Sequence, residues 1–166
     1  MNVDLNLYET IKDLGINLLL ILPDNMIQGL LKVINKKNEI RQVTITREEE
    51  GMGIAAGAYL GGMKPAIIMQ NSGLGNSINA IKSLIQLFKI PILIIMSHRG
   101  GEGEKIMAQN QMGQVTFTLL ECINIKTFIV DSVKRINNFK KAMKFMQENG
   151  KSAAIVLERS LWREIS

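Results

Sequence analysis

The sequence is poor in the residues that build disulfides and metal centres. Its 166 residues include one cysteine, Cys122, and one histidine, His98. A single cysteine excludes an internal disulfide and a cysteine-built metal site, and a single histidine excludes a histidine metal cluster. We therefore expect no metal ligands in this chain. The lone thiol fits the reducing cytoplasm, which is the location we predict.

Long hydrophobic runs, aromatic residues and dense basic blocks are also scarce. The longest apolar run, Ile90 to Met96, is too short to cross a bilayer, and the polar start MNVDLNLYETIKDLG predicts a helix and not a signal peptide. Aromatic residues make up 5% of the chain, and the lysines and arginines behind its net charge of +5 are scattered. This pattern favours a small anionic ligand or an acidic partner over nucleic acid or a membrane.

Short apolar runs alternate with longer amphipathic segments along the whole chain. Three of the short runs, NLLLIL, PAIIMQ and PILIIMS, are apolar on both faces, as strands covered by helices on both sides must be. The predicted strands are Asn17–Leu22, Gln42–Thr46, Ala66–Gln70, Pro91–Ser97, Lys126–Val130 and Ala153–Leu157. The predicted helices are Asp24–Lys36, Glu48–Leu60, Asn76–Phe88, Gln114–Glu121 and Lys134–Glu148. The alternation predicts one α/β domain over residues 1–166, a doubly wound, mostly parallel six-stranded sheet with helices on both faces.

Polar or glycine-rich segments follow four of these strands. They are Pro23-Asp24-Asn25, Arg47 to Glu50, Asn71 to Asn76, and an irregular stretch from His98 to Gly113. Ligands of an open parallel sheet bind outside the carboxyl ends of its strands. The sequence therefore predicts a ligand site where these four segments meet.

The segment NSGLGNS, residues 71–77, lies between a strand and a helix, where backbone N–H groups can hold a phosphate. The dinucleotide fingerprint needs a glycine three residues after Gly75, but that residue is Ile78, and no Walker lysine is present. Two interpretations stay open for this segment. It is a tight turn in which Asn76 or Ser77 caps the helix, or it is a backbone loop that shapes a ligand site.

Three consecutive glutamates, Glu48, Glu49 and Glu50, precede a run of glycine and alanine in TREEEGMGIAAGAYLGG. A carboxylate at a helix N-terminus is favoured by the helix dipole, which accounts for one or two of the three. The small residues that follow leave a thin helix, which lets another surface approach closely. We expect one of the three carboxylates to be delivered into such an interface.

These residues resemble the pyrimidine-binding domain of thiamine-diphosphate-dependent decarboxylases. In that family a glutamate ends the second strand and a glycine follows nine residues later, a spacing that Glu48 and Gly57 match. The segments MQNSGLGNSINAIKSL, LPDNMIQGLL and SHRGGEGEKIMAQNQMGQVTFTLLE resemble the sulfopyruvate and phosphonopyruvate decarboxylases of this family more specifically, and the resemblance covers essentially the whole chain.

The resemblance implies a thiamine-diphosphate enzyme that is divided between two chains. Relatives in a single chain carry a diphosphate-binding domain in which Gly-Asp-Gly and a distant Asn hold Mg²⁺, and no Gly-Asp-Gly occurs here. The implied partner is a beta subunit that carries this domain and the Mg²⁺, joined with this chain in a hetero-oligomer. The implied reaction is decarboxylation of a small anionic 2-keto acid, most specifically of sulfopyruvate to sulfoacetaldehyde in coenzyme M biosynthesis of methanogenic archaea.

The resemblance also assigns roles to residues. Glu48 is the implied catalytic group, since in the family this glutamate hydrogen-bonds the cofactor's pyrimidine ring and so promotes proton removal from the thiazolium carbon. Residues expected to bind the cofactor are Glu48, Asn71, Ser72, Gly73 and Asn76. Residues expected by position to bind the substrate are Asp24, Asn25, His98, Arg99, Lys105 and Gln109.

Two other classes of function remain open from the sequence. One is half of a different thiamine enzyme, of the phosphonopyruvate decarboxylase, acetolactate synthase or transketolase type. The other is a non-catalytic, flavodoxin-like domain that binds an anion through NSGLGN.

Overall fold

Six strands form one sheet in which every neighbouring pair runs parallel. The computed structural model describes residues 2–165. The two ends of the predicted domain, Met1 and Ser166, lie outside the described residues, and Met1 is also the first residue of the predicted N-terminal helix. The strands are β1 (Leu18–Ile21), β2 (Arg41–Thr44), β3 (Pro65–Gln70), β4 (Leu93–Ser97), β5 (Lys126–Val130) and β6 (Ala153–Leu157), in the order β2-β1-β3-β4-β6-β5. This confirms the predicted α/β class, and all six predicted strands are present.

Six α-helices cover the two faces of the sheet. They are α1 (Val3–Asp13), α2 (Gln28–Lys37), α3 (Glu48–Leu60), α4 (Gly73–Ala80), α5 (Met107–Cys122) and α6 (Asn138–Asn149). Alternate strand residues face opposite ways: Leu19 packs with α1, α2 and α6, whereas Leu20 packs with α3, α4 and α5. Both faces are therefore buried, which explains why the central strands are apolar throughout.

Four of the five predicted helices begin at other residues than predicted. The segment predicted as Lys134–Glu148 opens with a 3₁₀ segment, Val133–Asn137, before α6 begins. The segment predicted as Asp24–Lys36 opens with a 3₁₀ turn, Asn25–Ile27, before α2 begins. The segment predicted as Asn76–Phe88 begins earlier, at Gly73, and continues beyond α4 as a π-helical turn, Ile81–Gln86. Ile81 and Ile85 are both buried, and a spacing of four residues places two side chains on the same face of either an α-helix or a π-helix. The pattern of apolar residues therefore could not predict which of the two helix types forms here.

The prediction that His98 to Gly113 is irregular throughout is wrong in its second half. Helix α5 begins at Met107 and not at Gln114. Gly113 lies inside this helix. A side chain does not fit there, because a Cβ on Gly113 would lie 2.6 Å from the Cα of Gly100. Glycine at this position permits the backbone of the β4–α5 loop to lie directly on the helix, so Gly113 marks a close contact and not a helix boundary.

Two 3₁₀ segments, Val133–Asn137 before α6 and Arg159–Ile165 after β6, complete the described fold. No helix within residues 2–165 combines the length and the apolar character that crossing a membrane requires.

Candidate functional site

Polar side chains gather at the carboxyl edge of the sheet, as the sequence predicted. The loops that follow β1, β2, β3, β4 and β6 all open at this edge because all strands are parallel. Hydrogen bonds connect the loops after β1, β3 and β6 to the end of β4. The loop after β2 is bonded to the segment after β3 instead.

Glu48 is the first residue of α3, and its side chain points into the fold. The residue is 6% exposed. Its Oε2 accepts a hydrogen bond of 2.9 Å from Nδ2 of Asn76, whereas its Oε1 has no hydrogen-bond partner among the described residues. The N-terminal end of a helix favours a negative charge at this place. The carboxylate is thus held by a hydrogen bond at one oxygen and has no such partner at the other.

Gly73 makes room for this carboxylate. A Cβ on Gly73 would lie 2.3 Å from Cγ and 2.6 Å from Oε1 of Glu48. No side chain fits in that space, so the backbone at the start of α4 lies directly against the carboxylate. The glycine that the sequence placed in a cofactor-binding turn therefore also positions Glu48.

The other two glutamates of the triplet have different partners. Oε2 of Glu50 accepts hydrogen bonds from the backbone N–H and hydroxyl of Thr46 and from the N–H of Arg47, and these bonds lower the pKa of Glu50. Glu49 is bonded to the Arg47 guanidinium at 2.6 Å. Only Glu48 turns inwards towards α4.

Asn71 is fully buried and links three elements. Its Nδ2 donates to the carbonyl oxygen of Arg99 at 3.0 Å and to Oγ1 of Thr116 at 2.8 Å, and its Oδ1 accepts from the N–H of Arg99 at 3.0 Å. The predicted contact between this side chain and a cofactor would have to replace one of these bonds. In the free chain Asn71 fixes the turn after β3 to the end of β4 and to α5.

The side chains of Ser72 and Gln109 are joined through Gln70. Nε2 of Gln70 donates to Oγ of Ser72 and to Oε1 of Gln109, each at 2.7 Å. The first turns of α5 are therefore held over the turn that follows β3. Two other predicted substrate residues, Asn25 and Lys105, are exposed to solvent at the same edge.

Arg99 lies between two carboxylates and is 8% exposed. Its Nη1 donates to Oδ1 of Asp24 at 3.1 Å, and its Nε donates to Oε2 of Glu104 at 2.6 Å. Ser97 donates to the other oxygen of Asp24 at 2.8 Å. The hydrogen bond to Glu104 and the charges of both carboxylates outweigh burial and raise the pKa of Arg99. Both predicted substrate residues, Asp24 and Arg99, are thus already paired in the free chain.

His98 is buried with a hydrogen-bond acceptor at each ring nitrogen. Nδ1 lies 2.9 Å from Oε1 of Glu158, and Nε2 lies 3.2 Å from the carbonyl oxygen of Gly113. Because both neighbours accept, the arrangement favours the imidazolium, which donates from both nitrogens. Burial alone lowers the pKa of His98, but the hydrogen bond and charge of Glu158 and the Gly113 carbonyl outweigh it and the pKa is raised.

Several members of this network were missed from the sequence, namely Gln70, Glu104, Thr116 and Glu158. The sequence held one indication for Glu104. It directly follows a glycine-rich segment that contains Gly100, Gly101 and Gly103, and such segments form tight turns that can bring a side chain back onto the sheet edge. Glu158 directly follows a strand, which is the signal that identified the other loops. Within residues 2–165, no group of three or more carboxylate, histidine or cysteine side chains is placed to hold a metal ion.

Residues 1–119 match the family described as "Thiamine pyrophosphate enzyme, N-terminal TPP binding domain". The chain belongs to the thiamine-pyrophosphate enzymes. Within that family it is 51% identical over 128 residues to the sulfopyruvate decarboxylase subunit alpha of Methanococcus maripaludis, covering 77% of each chain. It is 40% identical over 163 residues to the corresponding subunit of Methanocaldococcus jannaschii, covering 98% of this chain and 96% of that one.

A longer relative has a different chain organisation. The protein of Methanosarcina acetivorans named sulfopyruvate decarboxylase is 33% identical over 162 residues, which are 98% of this chain and 41% of that protein. These relatives confirm the family resemblance. The name "subunit alpha" on the shorter relatives implies that those proteins have a partner subunit.

Proposed function

We propose that this chain is the alpha subunit of a sulfopyruvate decarboxylase, and that in the cytoplasm it helps convert sulfopyruvate into sulfoacetaldehyde and carbon dioxide with thiamine diphosphate. The observation that carries the proposal is the carboxylate of Glu48. It is buried at the start of α3 and held at Oε2 by Asn76, and Oε1 has no hydrogen-bond partner among the described residues. This is the place at which the family resemblance implies a catalytic glutamate.

The residues present fit a pyrimidine ring. Oε1 of Glu48 has no hydrogen-bond partner among the described residues, and the missing side chain of Gly73 lets this carboxylate lie against the start of α4. In this proposal Glu48 exchanges a proton at Oε1 with the ring nitrogen of the pyrimidine, while the Asn76 amide fixes the orientation of the carboxylate. Thiamine diphosphate, when bound, supplies the nucleophilic carbon and accepts the electrons released with carbon dioxide.

The diphosphate and its Mg²⁺ are assigned to a partner subunit in this proposal. The chain contains no Gly-Asp-Gly, and the M. acetivorans relative extends well beyond the region that this chain matches. We propose a beta subunit with the diphosphate-binding domain, paired with this chain in a hetero-oligomer, so that the cofactor is shared between the two.

The outward face of α3 is the surface proposed for this partner. Positions for a Cβ on Gly53 and Gly57 have no heavy atom within 4 Å, so the helix backbone is open to an approaching surface. Leu60 is 76% exposed at the end of the same helix, and Leu87 and Phe88 are each 66% exposed just after the π-helical turn. An open helix backbone together with exposed apolar side chains suits close packing against another chain.

The test is reconstitution. The chain is purified with its beta subunit, supplied with thiamine diphosphate and Mg²⁺, and given sulfopyruvate, phosphonopyruvate or pyruvate, with carbon dioxide and the aldehyde products measured. We expect sulfopyruvate to be the preferred substrate and sulfoacetaldehyde the product. Preference for another keto acid, or a carbon–carbon ligation product, would contradict the proposal.

A second measurement examines the division of the enzyme. Isothermal titration of the chain alone with thiamine diphosphate and Mg²⁺ is expected to give weak or no binding, because the diphosphate site is assigned to the partner. Tight, Mg²⁺-dependent binding to the chain alone would rule out the half-enzyme arrangement.

A further inference from the structure

The carboxylate of Glu104 is surrounded by hydrogen-bond donors. Oε2 accepts from Nε of Arg99 at 2.6 Å, from Nη2 of Arg159 at 3.0 Å and from the N–H of Gly100 at 3.4 Å. Oε1 accepts from Nη2 of Arg99 at 3.2 Å and from the N–H groups of Lys105 and Ile106 at 2.9 and 3.1 Å. Each oxygen thus has three donors, in an exposed loop where one or two donors and water would suffice.

This surrounding has the composition of a site for an oxyanion. Two guanidinium groups and a concave set of backbone N–H groups are the donors that bind carboxylate, sulfate and phosphate in proteins. The side chain of Arg99 is 9% exposed and that of Glu104 is 3% exposed, so the pair is shielded from water. Hydrogen bonds from Arg99 and from the Ile106 and Gly100 N–H groups hold the pKa of Glu104 far below its usual range.

The charged groups that surround the Glu104 carboxylate are balanced by one negative charge. Arg99 and Arg159 contribute two positive charges, and Asp24, bonded to Arg99, contributes one negative charge. Without Glu104 the set carries one net positive charge. A monoanionic sulfonate would therefore replace the carboxylate without a change in buried charge, which is the condition under which the exchange costs little.

The loop backbone and a neighbouring cavity bear on how an anion would displace the Glu104 side chain. Gly100 and Gly103 have φ angles of 82° and 76°, so the loop backbone adopts turns that keep bulky side chains away from this place. A cavity of about 370 Å³ reaches Arg159 and is also lined by Arg163 and by the acidic residues Glu102, Asp131 and Glu158. Rotation of the Glu104 side chain would vacate the donors, and Arg159 is the donor that lies at this cavity.

We propose that Arg99, Arg159 and the N–H groups of Gly100, Lys105 and Ile106 form an oxyanion site, which Glu104 occupies in the free chain and an external sulfonate or sulfate group occupies in its place. The site is coupled to Glu48 through a short set of contacts. Asn71 binds both backbone groups of Arg99 and starts the turn that carries Gly73 and Asn76 onto the Glu48 carboxylate. The assignment of the sulfonate as substrate rests on the proposed function; the existence of the oxyanion site does not.

The test is an NMR titration of the isotope-labelled chain with sodium methanesulfonate and with sodium sulfate, against sodium chloride at equal ionic strength. We expect saturable shifts of the Gly100, Lys105 and Ile106 amide signals. In Glu104→Gln the competing charge is gone, so binding is expected to be about tenfold or more tighter than in the wild type. Glu121→Gln is the matched control, since it removes the same charge from an exposed residue of α5 that does not line the cavity, and its affinity is expected to equal that of the wild type.

Absence of saturable shifts in the wild type and in a folded Glu104→Gln variant would overturn the proposal and leave Glu104 as a permanent structural anchor. If Glu104→Gln does not fold, the wild-type titration decides alone. An equal gain in affinity for Glu121→Gln would overturn it too, because a general change in net charge would then explain the effect.

Inhibition of the assembled enzyme separates the two sources of the anion. Sulfate that raises the apparent KM for sulfopyruvate without changing kcat supports the substrate's sulfonate as the occupant. If sulfate binds in the titration but leaves the KM for sulfopyruvate unchanged, the oxyanion site exists but does not bind the substrate's sulfonate. An assembled enzyme that fails to decarboxylate sulfopyruvate would contradict the proposed function, while the titration of the chain alone would still decide on the oxyanion site.

Discussion

The carboxylate of Glu48 occupies the space that a side chain on Gly73 would need. A Cβ on Gly73 would lie 2.3 Å from Cγ of Glu48, much closer than two carbon atoms can approach without a covalent bond. The loops after β2 and β3 are therefore complementary at this point, and the orientation of the proposed catalytic group depends on a residue without a side chain.

Substitution Gly73→Ala should displace the Glu48 carboxylate. Overpacking of this kind costs about 1–3 kcal/mol of stability. Decarboxylation by the assembled enzyme should fall about a hundredfold, at the lower end of general acid–base effects. The measurements are the unfolding free energy of the chain and kcat of the complex.

Gly75→Ala is the matched control, two residues along the same helix. The nearest atom to its added Cβ is Cε of Met112 at 3.9 Å, so the methyl group fits. Alanine should raise helix stability by up to about 1 kcal/mol and leave kcat unchanged. Equal losses of activity in both variants would contradict the role assigned to Gly73.

Substitution Glu48→Gln should preserve the fold and remove most of the activity. Glutamine keeps the shape of the side chain but cannot exchange a proton at Oε1, and loss of general acid–base catalysis costs about a hundred- to ten-thousand-fold. Hydrogen–deuterium exchange at the thiazolium carbon, measured in the complex with the beta subunit, should slow in parallel with kcat.

Glu49→Gln and Glu50→Gln test the choice among the three glutamates. Glu49 is bonded to Arg47 and Glu50 to Thr46, and neither faces α4. Carboxylates at a helix N-terminus contribute about 0.3–1 kcal/mol to stability, so both variants should retain nearly normal exchange at the thiazolium carbon. A larger defect in Glu50→Gln than in Glu48→Gln would overturn the assignment.

Substitution Gly57→Leu should weaken assembly while leaving the chain itself folded. No heavy atom lies within 4 Å of the added Cβ, and leucine is a better helix former than glycine by up to about 1 kcal/mol. The thermal midpoint of the chain should therefore not fall, whereas affinity for the beta subunit should drop about tenfold or more. Lys144→Leu, which adds the same side chain on the opposite face of the sheet, is the control; unchanged affinity in Gly57→Leu would exclude this face as the interface.

The His98–Glu158 pair should make stability depend on pH. The pKa of His98 is raised above its ordinary value of 6.5, so the pair stabilises the fold fully below about pH 6.5. The contribution is lost as pH rises through the raised value, because the imidazole then gives up one of its two donors. Urea unfolding of the wild type and of Glu158→Gln across this range should show a stability gap that narrows as pH increases.

The His98 ring signals in NMR provide an independent reading of the same pair. Removing the carboxylate in Glu158→Gln leaves burial as the largest influence, so the pKa of His98 should fall. A pKa that stays unchanged in this variant would show that Glu158 does not hold the imidazolium.

The sheet and the position of Glu48 were predictable because each depends on local pattern. Alternating apolar runs locate the strands, and α3 begins and ends at the residues predicted from the glutamate triplet and the Gly-Ala run. The start of α5 was not predictable in the same way. Met107 to Met112 are polar or weakly amphipathic, and Gly113 is a helix breaker in isolation but a contact point in the fold.

The ion pairs at the site were beyond sequence reasoning for a different reason. Arg99 and Asp24 are separated by 75 residues in the sequence and meet only because β1 and β4 end at the same edge. Which of the nearby carboxylates pairs with Arg99 depends on the turns at Gly100 and Gly103, whose φ angles no pattern specifies. Asp24 and Arg99 could be named from the sequence as candidates, but members of the same network such as Glu104 and Glu158 could not.

The contact between Gly100 and Gly113 joins the two ends of one segment. The chain between these residues leaves the end of β4 and comes back to the same loop within α5, since a Cβ on Gly113 would lie 2.6 Å from the Cα of Gly100. Closure at both ends confines changes at exposed positions of the segment, such as Glu102, to the segment itself. Glu104 and Gln109 are bonded to Arg99 and Gln70, so variation that leaves the edge of the sheet undisturbed is restricted to the positions between these anchors.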